Sequence, residues 1–475
     1  MRFYTYLAVS VFGFLFILSS CKKEQLLTSG GDLRYSTDTL TFDTVFTELG
    51  SFTMGLKIFN PQDQKINISS VRLEKGNSSF FHINVNGFTG NNISNIEVAA
   101  NDSIYVFATV RINPDTQNLP FIVEDKLIAT LNGQEYSIPV FAYGQNAHFI
   151  RDSVITTTDT WLTDKPYVIL HSALIEKNTT LTIPPGCRIY MHADSRLYVR
   201  GTLRCGVGGS EKDTVIFQGN RLDRDYFGNE GHPGEWGGIY FDSSSTGNIM
   251  EWTTLKNCGN NSGGALPFAI EVFNAQLTMN HCVIQNAIGY GILSFHGNIT
   301  ATNCLVHDCG AQALAIFQGG KYSFTNCSFI NYFPRKVAHS DNPTVAVLNY
   351  LDRGGGHFDL GDLDARFRYC LIYGSLDDEL VCDSIDIPGG VPFSLSFDTC
   401  LIKSKEGIAD FQVNTPGTIF NEDPKFVDYP KWNFRPKEGS AVIDKGMLPM
   451  GNNRDLDGKP RSGDPIDIGC YEYKP

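Results

Sequence analysis

The chain has 475 residues, enough for two or three domains, and a formal net charge of -13. That acidity argues against nucleic acid as a partner, because phosphate binding needs a basic face. Gly, Asn, Ser and Thr punctuate short β-branched and aromatic runs with no long helical periodicity, so the composition reads as all-β.

Residues 1–20 hold one early charge, Arg2, and then an apolar run that ends in small residues. The run is short of a comfortable membrane span, and no other segment is apolar enough to cross a bilayer. Leu18-Ser19-Ser20-Cys21 resembles the bacterial lipobox. That resemblance implies a signal peptide over residues 1–20, diacylation of Cys21 with chains such as palmitate, and a lipid tie to a membrane. Residues 21–29 form a polar tether. Its Lys22-Lys23-Glu24 is similar to the export signals of Bacteroidetes surface lipoproteins but departs from their acidic versions.

Residues 30–145 contain several alternating runs, and Asn132-Gly133 separates two of them as a two-residue hairpin turn does. The spacing predicts an immunoglobulin-like β-sandwich. No His, Cys or carboxylate cluster is visible there, and the expected role is a spacer.

Residues 146–475 repeat themselves. Cys282, Cys304, Cys327, Cys370 and Cys400 stand at successive steps of 22, 23, 43 and 30 residues. Two residues after each comes an aliphatic or aromatic side chain: Ile284, Val306, Phe329, Ile372 and Ile402. Strand period two combined with a repeat near 22 residues predicts a right-handed parallel β-helix. The step of 43 reads as two turns and the step of 30 as one turn with an insertion. The cysteines form a core ladder of small apolar side chains, with Cys258, Ala287 and Cys309 in a second column. Without Cys21 eleven cysteines remain, an odd number, so at least one is free. Gly186, Gly201 and Gly206 mark bends.

The run from Asn178 to Asn220, the Gly-Glu-Trp-Gly-Gly segment from Gly234, the Asn-Cys copies and the ending Asp467-Ile468-Gly469-Cys470-Tyr471-Glu472-Tyr473 resemble the β-helix lipoproteins of Bacteroidetes. These have a pectin-lyase-like fold. The resemblance implies outer-membrane, cell-surface placement. It leaves activity open, because this fold hosts lyases, hydrolases, adhesins and stalks.

Lyases and hydrolases of this architecture need carboxylates with Arg or Lys on adjacent outward positions. The column before the cysteines reads Trp252, His281, Asn303, Asn326, Tyr369 and Thr399. The column after the core aliphatics reads Lys256, Gln285, His307, Ile330, Tyr373 and Lys403. Neither stacks acid on acid, and His281 and His307 are expected as solvated surface histidines. Three insertions, 221–236, 331–364 and 376–390, leave the stack, and function tends to sit on such loops. In the second, His339 is the candidate base, with Arg335 or Lys336 to meet a carboxylate. Trp236 and Tyr226 are candidates for stacking on sugar rings, although Trp236 also leads straight into a strand. Asn453, Asp455 and Asp457 have the look of a calcium loop, but Pro460 breaks the pattern, and a turn closing the end of the β-helix is expected instead. No cofactor is required.

Asp-Ser/Thr followed by an aliphatic occurs six times, with Thr39, Thr44, Ser103, Ser153, Thr214 and Ser384 as the hydroxyl residues. The pattern resembles the O-glycosylation signal of exported Bacteroidetes proteins, and it also begins strands well. Together these readings favour a lipid-anchored scaffold that binds a polysaccharide or a surface protein without catalysis. A polysaccharide lyase or glycoside hydrolase, and a purely structural stalk, are the alternatives.

Overall fold

In the computed structural model the described residues are 25–474, apart from 115–119, 223–230, 261–265, 333–338, 340, 386–389, 406–412, 448–452 and 462–464. Cys21, Tyr226, Arg335 and Lys336 therefore lie outside them. The chain divides into two units at Asn146/Ala147. Among the described residues no helix is long and apolar enough to cross a membrane.

The first unit is a β-sandwich. One five-stranded sheet takes Arg34–Tyr35, Met54–Phe59, Ser103–Val110, Phe81–Val85 and Phe88–Thr89 in spatial order. The other takes Leu40–Phe46, Gln134–Gln145, Phe121–Leu131, Ile66–Leu73 and Asn92–Val98. Alternation sends Phe42, Leu56, Ile58, Ile68, Val106 and Val140 into the space between the sheets, where all are at most 2% exposed. Asn132 and Gly133 form the predicted two-residue turn, both at positive φ (48° and 84°), and Leu131 pairs with Gln134 across it.

The second unit is a right-handed parallel β-helix. Its strands follow one another around three faces and pair in parallel with the same face of the next rung. Face A carries the cysteine copies, from Tyr167 to Phe420. Face B includes Arg196–Val199, Ile239–Phe241, Phe268–Phe273 and the first halves of Tyr290–Thr302 and Leu314–Thr325. Face C includes Asn248–Glu251, Gln276–Asn280, the second halves of those two long strands, Leu363–Arg368 and Phe393–Asp398.

The predicted ladders pair in register. Ile284 meets Val306, Val306 meets Phe329, Phe329 meets Ile372, and Ile372 meets Ile402. The step of 43 residues is therefore one rung and not two: Phe329 pairs directly with Ile372. The extra length supplies the face B strand Val345–Leu348 and a side hairpin, Tyr350–Asp352 with Phe358–Leu360. Every cysteine of the ladder is at most 2% exposed. Each thiol points to a neighbouring carbonyl, as Cys282 to Met250 (3.2 Å) and Cys370 to Phe324 (3.5 Å), and the eleven cysteines among the described residues are free. Burial holds the Cys282, Cys304, Cys327 and Cys370 thiols well above the usual thiol range.

The corners explain the residues beside the cysteines. Trp252, His281, Asn303, Asn326, Tyr369 and Thr399 all have φ between 41° and 53°, the left-handed region. Asn257, Asn286 and Asp308 repeat it at the next corner. Asn is the non-glycine residue that tolerates this conformation best. Gly201 has a different reason: a Cβ there would press on the carbonyl oxygens of Thr179 and Glu176.

The carboxyl-terminal segment corrects one expectation. It does not close the end of the β-helix but runs along face A as a lateral strap. Leu305, Ile330, Leu371 and Leu401 point outward from face A, and Phe426, Phe434, Val442, Leu456 and Ile468 of the strap bury them. Outward leucines on successive rungs need such a cover.

Candidate functional site

The sequence-derived columns are only partly withdrawn from solvent: Asn303, Asn326, Tyr369 and Ile330 are buried, whereas Thr399, Lys256, Gln285, Tyr373 and Lys403 keep partial exposure. His281 and His307 are 9% and 2% exposed, so neither is a solvated surface histidine. His281 stacks on Trp252 with ring centres 4.0 Å apart, and its Nε2 lies 3.3 Å from the Asn303 amide nitrogen. Desolvation lowers its pKa to about 4, so the ring is neutral at ordinary pH. His307 pairs with Asp308 at 2.8 Å beneath Trp432 and Phe434. Asn303 and Asn326 donate to strap carbonyls of Arg454 (3.0 Å) and Asp467 (3.2 Å). Arg461, buried, donates to the Asn303 amide oxygen at 2.9 Å and pairs with Glu472.

The remaining sequence candidates scatter. Trp236 is fully buried, donates its indole N–H to the Lys256 carbonyl (2.8 Å) and stacks on Phe217, so it is core and not a sugar platform. His339 is buried as well. Its Nε2 lies 3.0 Å from Glu379, whose carboxylate also accepts the Thr344 hydroxyl (2.7 Å) and the Leu376 amide (2.6 Å). The structure thus does not offer His339 to solvent as a base. The calcium reading also fails on geometry. The Asp455 carboxylate accepts the amides of Asp457, Lys459 and Glu472, and Asp457 pairs with Arg435 and Lys459. Asn453 stands apart at an exposed position. Among the described residues no three His, Cys, Asp or Glu side chains converge as a metal site.

All six hydroxyl residues of the Asp-Ser/Thr pattern, Thr39, Thr44, Ser103, Ser153, Thr214 and Ser384, are partly exposed. In three copies the aspartate accepts the amide of the next residue: Asp43 to Thr44 (2.6 Å), Asp102 to Ser103 (2.7 Å) and Asp383 to Ser384 (2.8 Å). This local bond gives those aspartates a backbone role of their own.

Among the described residues two surfaces of the β-helix stand out. The first is a groove of about 840 Å³ on face C. Outward Thr278, Asn280, Thr300, Thr302 and Thr325 line it, with Glu211 and Lys212 on one margin and Asn453 and Arg454 of the strap on the other. Glu251 also lines it and accepts the Gly208 amide at 2.8 Å.

The second is an aromatic ladder on face B, which the columns chosen from the sequence left out. Tyr198, Tyr240, Phe273, Phe295 and Phe317 leave five successive rungs outward. Tyr198 is 36% and Phe273 42% exposed, and the other three are partly exposed. Ring centres lie 6.1 Å apart for Tyr198–Tyr240, 6.5 Å for Phe273–Phe295 and 5.8 Å for Phe295–Phe317. Between the tyrosines and the phenylalanines stands Glu271, paired in register with Tyr240. Burial raises its pKa to about 7, against the opposing pull of Arg196. Near neutrality this carboxyl is partly protonated and can donate as well as accept a hydrogen bond. A period-two count on face B would have found the ladder, but its loops are irregular in length and hide the register.

Of the comparisons with known proteins, one bears on the fold. A family model described as a right handed beta helix region matches residues 173–329. A search of the curated proteins finds no match. Among solved structures the chain is similar to a family 123 glycoside hydrolase from Clostridium perfringens, studied for glycolipid glycan hydrolysis. The identity is 10% and the TM-score 0.17, over 24% of this chain and 26% of that one. The chain thus spans about a quarter of that hydrolase, and so slight a likeness carries no argument.

Proposed function

We propose that this protein is a lipid-anchored envelope scaffold whose β-helix binds a glycan without cleaving it. The observation that carries this reading is the aromatic ladder of face B, with Glu271 among its rings. The rings stand 5.8–6.5 Å apart within two neighbouring columns, Tyr198–Tyr240 and Phe273–Phe295–Phe317, a spacing on the scale of sugar rings. Each ring offers an apolar face to sugar C–H groups, and Glu271 offers a hydrogen bond to a hydroxyl. A structural stalk has no need of exposed aromatics in register. The lipobox-like Leu18–Cys21 supports attachment to the outer membrane, and the first unit, with its immunoglobulin-like pattern, would hold the β-helix off the lipid.

The face C groove supports a second reading, polysaccharide cleavage, because Glu211, Glu251, Lys212 and Arg454 all line it. One experiment separates the two. The protein is incubated with a polysaccharide panel that includes neutral glycans and uronates, and both retention and product release are measured. Retention without new reducing ends or unsaturated uronates, weakened roughly tenfold by Tyr240→Ala or Phe295→Ala, is expected. Product release that Glu251→Gln abolishes would replace the binding reading with the enzymatic one.

A further inference from the structure

The sandwich, expected as a bare spacer, carries an aromatic feature of its own. Tyr105 and Phe107 leave strand Ser103–Val110 on its outer side, two residues apart, and are 49% and 42% exposed. Their rings are parallel within 4°, with centres 5.8 Å apart. Opposite Phe107 in the neighbouring strand stands Gly55, where an added Cβ would come within 3.3 Å of the Phe107 ring. A glycine in mid-strand gives up side-chain packing and often marks a place that must stay clear. Here it leaves the space into which the ring leans. Opposite Tyr105 stands Lys57, whose ammonium lies 4.7 Å from the centre of the tyrosine ring. On the other flank Asn84 pairs in register with Phe107, and His82 with Thr109.

The size of the patch selects its occupant. Two half-exposed rings offer on the order of 200 Å², far below the roughly 800 Å² per partner of a stable protein interface. A pyranose ring is of the right size, since it has one apolar face and a rim of hydroxyls. The cation beside the rings adds a preference for negative charge, which a neutral sugar would leave unused.

We propose that this platform is a second carbohydrate-binding site, and that it takes glycans containing uronic acid. The sugar's apolar face packs on Tyr105 and Phe107, its carboxylate pairs with Lys57, and its hydroxyls reach Asn84 and His82. The site is separate from the face B ladder and does not depend on it.

The test is calorimetric titration of the full chain in detergent with oligogalacturonate and oligoglucuronate, and with the same oligomers after reduction of their carboxyl groups. At least one uronate should bind, and more tightly than its reduced counterpart. Tyr105→Ala and Phe107→Ala should each weaken that binding roughly tenfold. Lys57→Gln should abolish the preference for the carboxylate form. Tyr143→Ala, an exposed ring on the other sheet of the sandwich, should leave uronate affinity unchanged. The variants are at the surface, and Phe107→Leu keeps apolar bulk as a check on folding. The proposal is overturned if neither uronate binds, if the platform variants bind like the parent chain, or if only Tyr143→Ala loses the uronate.

Discussion

Glu271 and His281 show how one side chain can set the pH response of a surface that composition leaves unremarkable. Glu271 has its folded pKa raised to about 7 by burial, so its protonated form is the one the fold favours. The stability this gives is present below the ordinary carboxylate pKa and is lost as pH rises from about 4.5 toward 7. Glu271→Gln should match the parent chain below about pH 4.5. It should be more stable at pH 8, by on the order of 1–2 kcal/mol after solvent screening, as read from melting temperatures across pH. His281 has the opposite sign. Its folded pKa is lowered to about 4, so stability is full above about 6.5 and drains away as pH falls toward 4. His281→Phe, which keeps a flat ring on Trp252, should flatten that acid limb. Both residues were readable as identities, but neither environment was: Tyr240 and Leu293 flank Glu271 only because loops of unequal length bring those rungs into register.

Among elements, the strap and the cysteine ladder make the clearest demands. Arg461 links the strap to the Asn303 corner and to Glu472. Arg461→Leu leaves both partners uncompensated in a buried place and should cost about 3–5 kcal/mol. Protease should then cut first in the strap, while the rungs above it persist. If the strap stayed as resistant as in the parent chain, Arg461 would not be what holds it. The cysteines of face A should stay unreactive in the native state, since each is buried, and burial also holds the Cys282, Cys304, Cys327 and Cys370 thiols protonated. Native alkylation followed by intact-mass analysis should label Cys382, the least buried of the eleven, before any other. Unfolding should open all of them. The ladder and its aliphatic companions were legible because each recurs at a fixed frame within a rung. The strap was not, because its partners Asn303, Asn326 and Ser328 lie more than 140 residues away in sequence.

For the whole molecule, the envelope reading rests on residues 18–21 and on the exported-protein resemblance. Metabolic labelling with a palmitate analogue should tag the parent chain, and Cys21→Ser should abolish the label. Intact mass of the native protein should also exceed the lipidated chain if Thr39, Thr44, Ser103, Ser153, Thr214 and Ser384 carry sugar. A mass equal to the lipidated chain would leave those aspartates with their backbone role alone. The two units each present exposed aromatics, on face B and on the outer sheet of the sandwich.

The sequence by itself determined the all-β class, the hairpin at Asn132-Gly133 and the cysteine and aliphatic ladders. Each of these is a local pattern, a strand period of two or a repeat near 22 residues, and a local pattern survives in one dimension. Only the tertiary structure decided which side chains remain in contact with solvent. An outward position on a rung is exposed or buried according to what distant chain crosses it, and the strap settled that for His307 and for Leu305, Ile330, Leu371 and Leu401 of face A. The same long-range packing left face B and the Tyr105–Phe107 platform partly open, because no segment among the described residues covers those rings completely.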